Sequence, residues 1–323
     1  MTTAGSGLVG DIGATNARFA LVQRDGQTAA TRVYALTDHA SLSEAIKTYL
    51  AELPPAAHPA RAVLAVASPV TGDEVTLTNH PWTFSIEGLR QEFGFERLLV
   101  VNDFAANAAA VPHLAEHDRV QIGIGEPLNK APIGVLGPGT GLGVSALIPS
   151  ANGPLTLAGE GGHITMAPAS AYESAILDVM RKRYDHVSAE RLLSGAGLVN
   201  LYNTVCELSG TPAASYTAEH ITSPALWEKD PHTREATAIF CAMLGTVAGD
   251  LALTLGARGG IYIAGGIVPR IAPFFAESEF RARFEAKGRM RSYLAAIPTY
   301  LIVRPLLGLL GAAALLNEPR QAP

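Results

Sequence analysis

A two-domain α/β protein is the class this chain predicts, and three observations carry it. Its 323 residues exceed one domain at roughly 150 residues each. Two stretches, LVGDIGATNARFALV at 8–22 and IGVLGPGTGLGVSALI at 133–148, share one form: apolar run, turn of small residues, apolar run. Elsewhere, runs such as RAVLAVA at 61–67 are nearly all apolar, as strands covered on both faces are, and they alternate with amphipathic helical stretches.

In the first stretch, alternation bounded by Gly and Asn reads as two antiparallel strands. Asp11 ends the leading strand, and Gly13, Ala14, Thr15 and Asn16 form the turn. Such a turn offers backbone N–H groups and a hydroxyl to an anion, with Asp11 placed to hold a hydrated cation. An ordinary tight hairpin is the alternative that these residues alone leave open. The second stretch repeats the design with Gly137, Gly139, Thr140, Gly141 and Gly143, and glycine lets a ligand approach the backbone closely. Two such hairpins suggest a duplicated domain with a phosphate held between the halves.

The remaining elements follow in order. A third strand is expected at 31–36 and a helix at 41–53, opened by a Ser41/Glu44 capping box and ended by Pro54–Pro55. After the strand at 61–67, the polar segment 68–82 reads as a hairpin turning at Gly72–Asp73, followed by a helix at 85–93 and a strand at 98–101. That strand runs into Asn102 and Asp103, where a helix over 104–111 begins. Ligands of open α/β sheets bind beyond the carboxyl ends of strands. Asn and Asp are also favoured helix caps, and for Asp103 capping and catalysis are compatible.

Val111–Pro112 marks a boundary. Beyond it lie a strand at 119–124, the second hairpin, a strand at 155–158 and the loop GEGGHIT at 159–165, which carries Glu160 and His163. Glu160 and His163 lack a third ligand nearby, which argues against a metal and for a polyhydroxy ligand. Helices are expected at 172–184, 189–193 (capped by Ser188 and holding Glu190), 198–209 and 232–256. GGIYIAGG at 259–266 is a strand running into a Gly pair, suited to passing under a flat ring. A helix after 267–269, a strand at 300–303 and an apolar helix at 308–316, expected to dock back on the N-terminal domain, complete the chain.

Composition excludes several classes. Net charge is −5 with no basic run, which argues against nucleic acid as a partner. Cys206 and Cys241 are the two cysteines, and no Cys/His cluster supports zinc or a disulfide framework, as befits a reducing cytoplasm. The first seven residues, MTTAGSG, lack the basic and apolar regions of a signal peptide. The apolar run 239–257 contains Asp250 and shows the i, i+3, i+4, i+7 spacing of a core helix, so no membrane association is expected.

Seven motifs in this order resemble the bacterial ATP-dependent glucokinases, a sugar-kinase branch of the actin/hexokinase superfamily, over nearly the whole length. They are GDIGATNAR from Gly10, TNHPW from Thr78, NDF from Asn102, GPGTGLG from Gly137, GEGGH from Gly159, HVSAERLLSG from His186 and IAGGIVPR from Ile263. The resemblance implies a two-domain actin-like/hexokinase (ribonuclease H-like) ATPase fold with an interdomain cleft. The small domain would comprise 1–112 plus 304–323 and the large one 113–303.

The implied chemistry is phosphoryl transfer from ATP to the 6-hydroxyl of glucose, with ATP and Mg2+ bound. Gly10, Asp11, Ile12, Gly13, Ala14 and Thr15 would form the first phosphate loop, with Asp11 on the metal through water. Gly139, Thr140 and Gly141 would form the second, and Gly265 and Gly266 would lie against adenosine. Asn79, Asn102, Asp103, Glu160, His163 and Glu190 match the sugar-binding residues, and Asp103 the catalytic base. A cytoplasmic homodimer is implied as well.

One departure is Ala14, where many relatives carry a second Gly. If the turn needs φ > 0 there, Ala costs about 1 kcal/mol; if not, Gly would only loosen the unfolded chain. So many hydroxyl-reading groups predict selectivity for glucose over galactose and fructose. The zinc motif of a related kinase branch is absent.

Rival readings fall to specific features. Neither Gly loop ends in G-K-[ST], which excludes a P-loop NTPase, and both lie between strands, which excludes a Rossmann dehydrogenase. A non-catalytic sugar sensor of this kind carries an added DNA-binding segment, for which the residues ahead of Leu8 are expected to leave no room. A cytoskeletal actin relative would not carry GEGGH and TNHPW.

Overall fold

The computed structural model describes residues 7–23, 26–54 and 58–317. Residues 1–6, Pro55 and residues 318–323, on which parts of the sequence reading fall, lie outside them. The chain divides into two compact units, residues 1–115 with 304–323, and residues 116–303.

In the first unit, strands β1 (Gly7–Ile12) and β2 (Asn16–Val22) form the expected hairpin, with Ile12 opposite Ala17. β3 (Thr28–Ala35) pairs antiparallel with β2, while β4 (Arg61–Val66) lies parallel to β1. With β7 (Arg97–Asn102) parallel to β4, the sheet order is β3-β2-β1-β4-β7. Leu8, Leu64 and Val66 point into one core, shared with helices α1 (Leu42–Ala51) and α2 (Ile86–Glu92). Val9 and Val63, one residue on, point into a second core with Leu309, Ala312 and Leu316. A strand buried on both faces needs an apolar residue at every step, which is why RAVLAV carries no alternation.

The C-terminal helix (Leu307–Asn317) fills that second core by packing on α3 (Asp103–Ala110). The approach is backbone to backbone: a Cβ on Gly311 would strike the carbonyl oxygen of Ala106. GLLGAAA and AANAAA are rich in small residues for this reason.

The structure departs from two sequence expectations. The hairpin within 68–82 turns at residues 77–82 and joins β5 (Glu74–Thr76) to β6 (Thr83–Ser85). Asp73 is occupied elsewhere: its carboxylate accepts from Ser85 Oγ (2.5 Å) and from the Glu87 amide (2.8 Å) at the start of α2. The cap of α3 is Asn102, extended at φ −62°, ψ 145°, and Asp103 is the first helical residue.

The second unit repeats the arrangement. β9 (Ile133–Pro138) and β10 (Leu142–Ile148) form the hairpin, and β11 (Leu155–Gly159) adds antiparallel to β10. β12 (Gly260–Ile263) and β13 (Thr299–Ile302) run parallel to β9, and β8 (Arg119–Ile122) closes the edge in the order β11-β10-β9-β12-β13-β8. Leu136, Ile261, Ile263 and Leu301 pack into one core with helices α4 (Ala171–Arg181) and α5 (Gly195–Ser209) and a long helix, Pro231–Leu255. That long helix has the length and composition to cross a membrane. Here Ala236, Phe240, Met243 and Leu244 are buried in the protein core. The helix expected at 189–193 is a single 3-10 turn, Ala189–Arg191, capped by Ser188.

Candidate active site

The first Gly loop is short because β1 and β2 pair right up to Ile12 and Ala17. The Gly13 amide donates to Asn16 O (3.0 Å), and Thr15 stands exposed at the tip. Among the described residues, positive φ outside glycine occurs at Ala30, Lys130 and Leu306, so Ala14 sits in ordinary backbone and carries no strain. Gly10 and Ile12 serve packing: a Cβ on Gly10 would lie 2.7 Å from Leu64, and the Ile12 side chain is fully buried.

Asp11 is the charged group of this loop. Its carboxylate is 19% exposed and faces Arg18, directly opposite on β2, at 3.6 Å. A Cβ on Gly308, in the first turn of the C-terminal helix, would lie 2.8 Å from its Cγ. Burial raises the Asp11 pKa above the usual carboxylate value, and the Arg18 guanidinium only partly offsets it.

At the end of β7, Asn102 Oδ1 accepts from the amides of Phe104 (2.9 Å) and Ala105 (3.2 Å). Asp103 Oδ1 shares the Phe104 amide at 2.9 Å, and the side chain is half-buried. Sequence reasoning missed Ser68. Its carbonyl accepts from Asn102 Nδ2 (3.4 Å), and its Oγ accepts from the Thr78 amide (2.7 Å). Ser68 thereby ties Asn102 to the loop that carries exposed Asn79. The signal available in the sequence is the Ser68–Pro69 pair shortly after a nearly all-apolar strand.

The second Gly loop belongs to the second unit. Gly139 N–H donates to Gly141 O (2.8 Å), and Thr140 is exposed. A Cβ on Gly137 would strike Ala264, and one on Gly265, at φ +84°, would strike Pro138 O. The loop and the Gly265–Gly266 strand end therefore meet backbone to backbone, leaving Gly265 and Gly266 exposed.

The same unit holds three more candidates together. Glu160 and His163 are exposed, with Glu160 Oε2 4.0 Å from His163 Nε2. The turn Gly161–His163 packs on the turn Ala189–Arg191, which carries Glu190. Its glycines are required by contact: a Cβ on Gly161 would fall 2.8 Å from Val144, and one on Gly162 would strike Leu142 O. Glu190 Oε2 accepts from the Leu142 amide at 2.8 Å. The candidates thus divide by unit: Asp11, Thr15, Asn79, Asn102 and Asp103 in the first; Thr140, Glu160, His163, Glu190, Gly265 and Gly266 in the second.

The glucokinase family model matches residues 8–319. The glucokinase of Paramagnetospirillum magneticum is 54% identical over 316 residues, covering 98% of each chain. Among solved structures, a glucokinase from an Antarctic psychrotroph superposes with a TM-score of 0.88 at 38% identity, over 97% of this chain and 99% of that one. A glucokinase from Balamuthia mandrillaris in complex with glucose, at 21% identity, shares the fold with a TM-score of 0.80 over 96% of this chain and 93% of its own. The fold is the actin-like ATPase fold of the sugar kinases. Matched almost end to end and more than half identical to a named relative, the chain belongs to the glucokinase family, whose reaction transfers a phosphoryl group from ATP to glucose.

Proposed function

We propose that Asp103 is the general base of this reaction, in which the 6-hydroxyl of glucose attacks the γ-phosphorus of ATP to give glucose 6-phosphate and ADP, the first step of glycolysis. The observation that carries the assignment is its position, the first residue of α3 at the carboxyl end of β7, with one oxygen on the Phe104 amide. A helix N-terminus sets positive partial charge beside a carboxylate placed there. Phosphoryl transfer asks the protein for positioning and charge neutralisation more than for covalent chemistry. Asp103 accepts the hydroxyl proton as the bond to phosphorus forms. Asn79, Asn102, Glu160, His163 and Glu190 hold the other hydroxyls, which favours glucose over galactose and fructose. Thr15 and Thr140, with the amides of their loops, take the phosphates, and Gly265 and Gly266 face the adenosine.

Mg2+ fits the chemistry of the first loop. Asp11 is a carboxylate whose charged form burial disfavours, so a cation nearby is favourable. Among the described residues no group of three His, Cys, Asp or Glu forms a metal cage, which suits an ion that arrives with the nucleotide. Mg2+ takes one or two carboxylates with phosphates and water. Held by Asp11 through water, it would neutralise charge on the phosphates. A homodimer and a cytoplasmic location complete the reading, the latter supported by the two free, buried cysteines. Light scattering at about twice the 33.8 kDa chain mass checks the dimer.

Asp103→Asn tests the central assignment. It should keep the fold and lower kcat by about 10²–10⁴-fold, with glucose binding changed far less. Asn102→Ala is the control: it removes the cap of α3, so it should melt earlier by about 1 kcal/mol of stability while retaining more of the chemistry. If Asp103→Asn keeps more than a tenth of the wild-type kcat, the base lies elsewhere among Glu160, His163 and Glu190.

A further inference from the structure

Residues 186–195 hold two functional loops of the second unit at once. On one side they bind the loop that carries Glu160 and His163. The Ala189 amide donates to Ile164 O (2.9 Å), the Met166 amide to Val187 O (3.0 Å), and Thr165 Oγ1 lies 3.0 Å from His186 Nε2. On the other side they bind the second Gly loop at both ends. The Gly195 amide donates to Gly139 O (2.9 Å), and the Leu142 amide donates to Glu190 Oε2 (2.8 Å). A Cβ on Gly141 would meet that same Oε2, so a side chain there displaces the carboxylate. The backbone of Glu190 is fixed in turn, its carbonyl accepting from Ser194 Oγ at 2.9 Å.

We propose that Glu190 is the positioning residue that couples sugar to nucleotide: Oε1 receives a sugar hydroxyl while Oε2 holds the amide that closes the second phosphate loop. This rests on the reading of Glu190 as a sugar residue and of Gly139–Thr140–Gly141 as a phosphate loop. A carboxylate has two acceptor oxygens, one for each task. Sugar binding fixes its rotamer, and with it the Leu142 amide and the loop that ends there. The nucleotide then meets a loop already ordered, so it binds more tightly, and by linkage it tightens sugar binding by the same factor. Glutamine at this position has one acceptor oxygen and a donor NH2. Its oxygen can keep the Leu142 amide while its NH2 donates to the sugar hydroxyl, but both bonds lose the negative charge that strengthens them, and the link weakens.

The measurement is calorimetric titration of the non-hydrolysable nucleotide AMP-PNP with and without saturating glucose, and of glucose with and without AMP-PNP, on folded wild type, Glu190→Gln and Gly141→Ala. In wild type, glucose should tighten AMP-PNP by at least about fivefold. Glu190→Gln should weaken glucose alone and lower that ratio. Gly141→Ala keeps the carboxylate but pushes it off the Leu142 amide, so it should lower the ratio while disturbing glucose alone much less. It also decides the matter if Glu190→Gln fails to fold. Weakened glucose binding with a ratio as in wild type overturns the coupling and leaves the sugar assignment standing. Unchanged glucose affinity in Glu190→Gln overturns the sugar assignment itself. A wild-type ratio of one overturns the coupling outright.

Discussion

In the first Gly hairpin the penultimate residue of the leading strand is Asp11, opposite Arg18; in the second it is Gly137, opposite Gly143. Both hairpins turn over three residues, 13–15 and 139–141, and both leading strands take a parallel neighbour, β4 or β12. The difference comes from what abuts the strand end. Beside Asp11 the first turn of the C-terminal helix contributes Gly308, which leaves room for a carboxylate. Beside Gly137 the backbone of Ala264 and Gly265 leaves room for hydrogen only. One scaffold thus carries charge in its first copy. In its second it carries a bare backbone, steadied from outside by Glu190.

The largest effect expected from breaking this contrast is on activity. Asp11→Asn removes the charge that distinguishes the first loop and, with Asp11 in its proposed place beside the metal, should lower kcat by about 10²–10³-fold, the usual cost of deleting one electrostatic group at a reacting centre. It should also stabilise the fold at neutral pH. A raised carboxylate pKa means that the folded state binds more protons than the unfolded one. The stability Asp11 contributes is therefore fully present below its ordinary value of 3.8 and is lost as pH rises through its raised folded pKa. Melting at pH 4 and pH 8 checks this: wild type should lose more stability between the two than Asp11→Asn does. A variant that melts earlier than wild type at pH 8 would remove burial as the reason for the shift.

Gly137→Ala sharpens the contrast from the other side. The added methyl meets backbone, which cannot swing aside as a side chain can, so overpacking of about 1–3 kcal/mol is expected. Denaturant midpoints read it directly, and nucleotide binding should weaken with the displaced loop. Wild-type stability in this variant would mean that the two strand ends do not touch in solution. The smallest effect belongs to Ala14→Gly. Because Ala14 is not at positive φ, glycine only frees the unfolded chain and should cost about 0.4–1 kcal/mol. A stabilised Ala14→Gly would show that the turn needs the left-handed region after all.

Much of the fold is legible in the sequence where the signal is local. Both hairpins announce themselves through Gly and Asn punctuation around apolar runs, and α1 through Ser41, whose Oγ accepts from the Glu44 amide (3.2 Å). The reciprocal arm of that capping box lands one residue early: Glu44 Oε2 accepts from the Ala40 amide. The choice between Asn102 and Asp103 as cap is not legible, since both residue types cap well and one residue's backbone angles decide it. The turn of the β5–β6 hairpin is misread because Gly72–Asp73 looks like a turn, while Asp73 is drawn to the Ser85 hydroxyl and the Glu87 amide at the start of α2. Short helices such as Ala218–Ile221 and Pro224–Trp227 span too few residues to show a 3.6-residue period.

By itself the sequence determines the order of the longer elements, the two glycine-rich turns, the Asn102–Asp103 strand end and the glycine positions, because each is set by neighbours a few residues away. Only the tertiary structure decides what those pieces lean on. Ser68 meets Asn102 across 34 residues and Glu190 meets the Leu142 amide across 48. Asp11 meets the helix at Gly308. Two of these contacts join a side chain to a backbone group, which has no sequence identity, and the third depends on a missing Cβ. Contacts of that kind leave no periodicity or motif behind, and they exist only once strands and helices have been brought side by side.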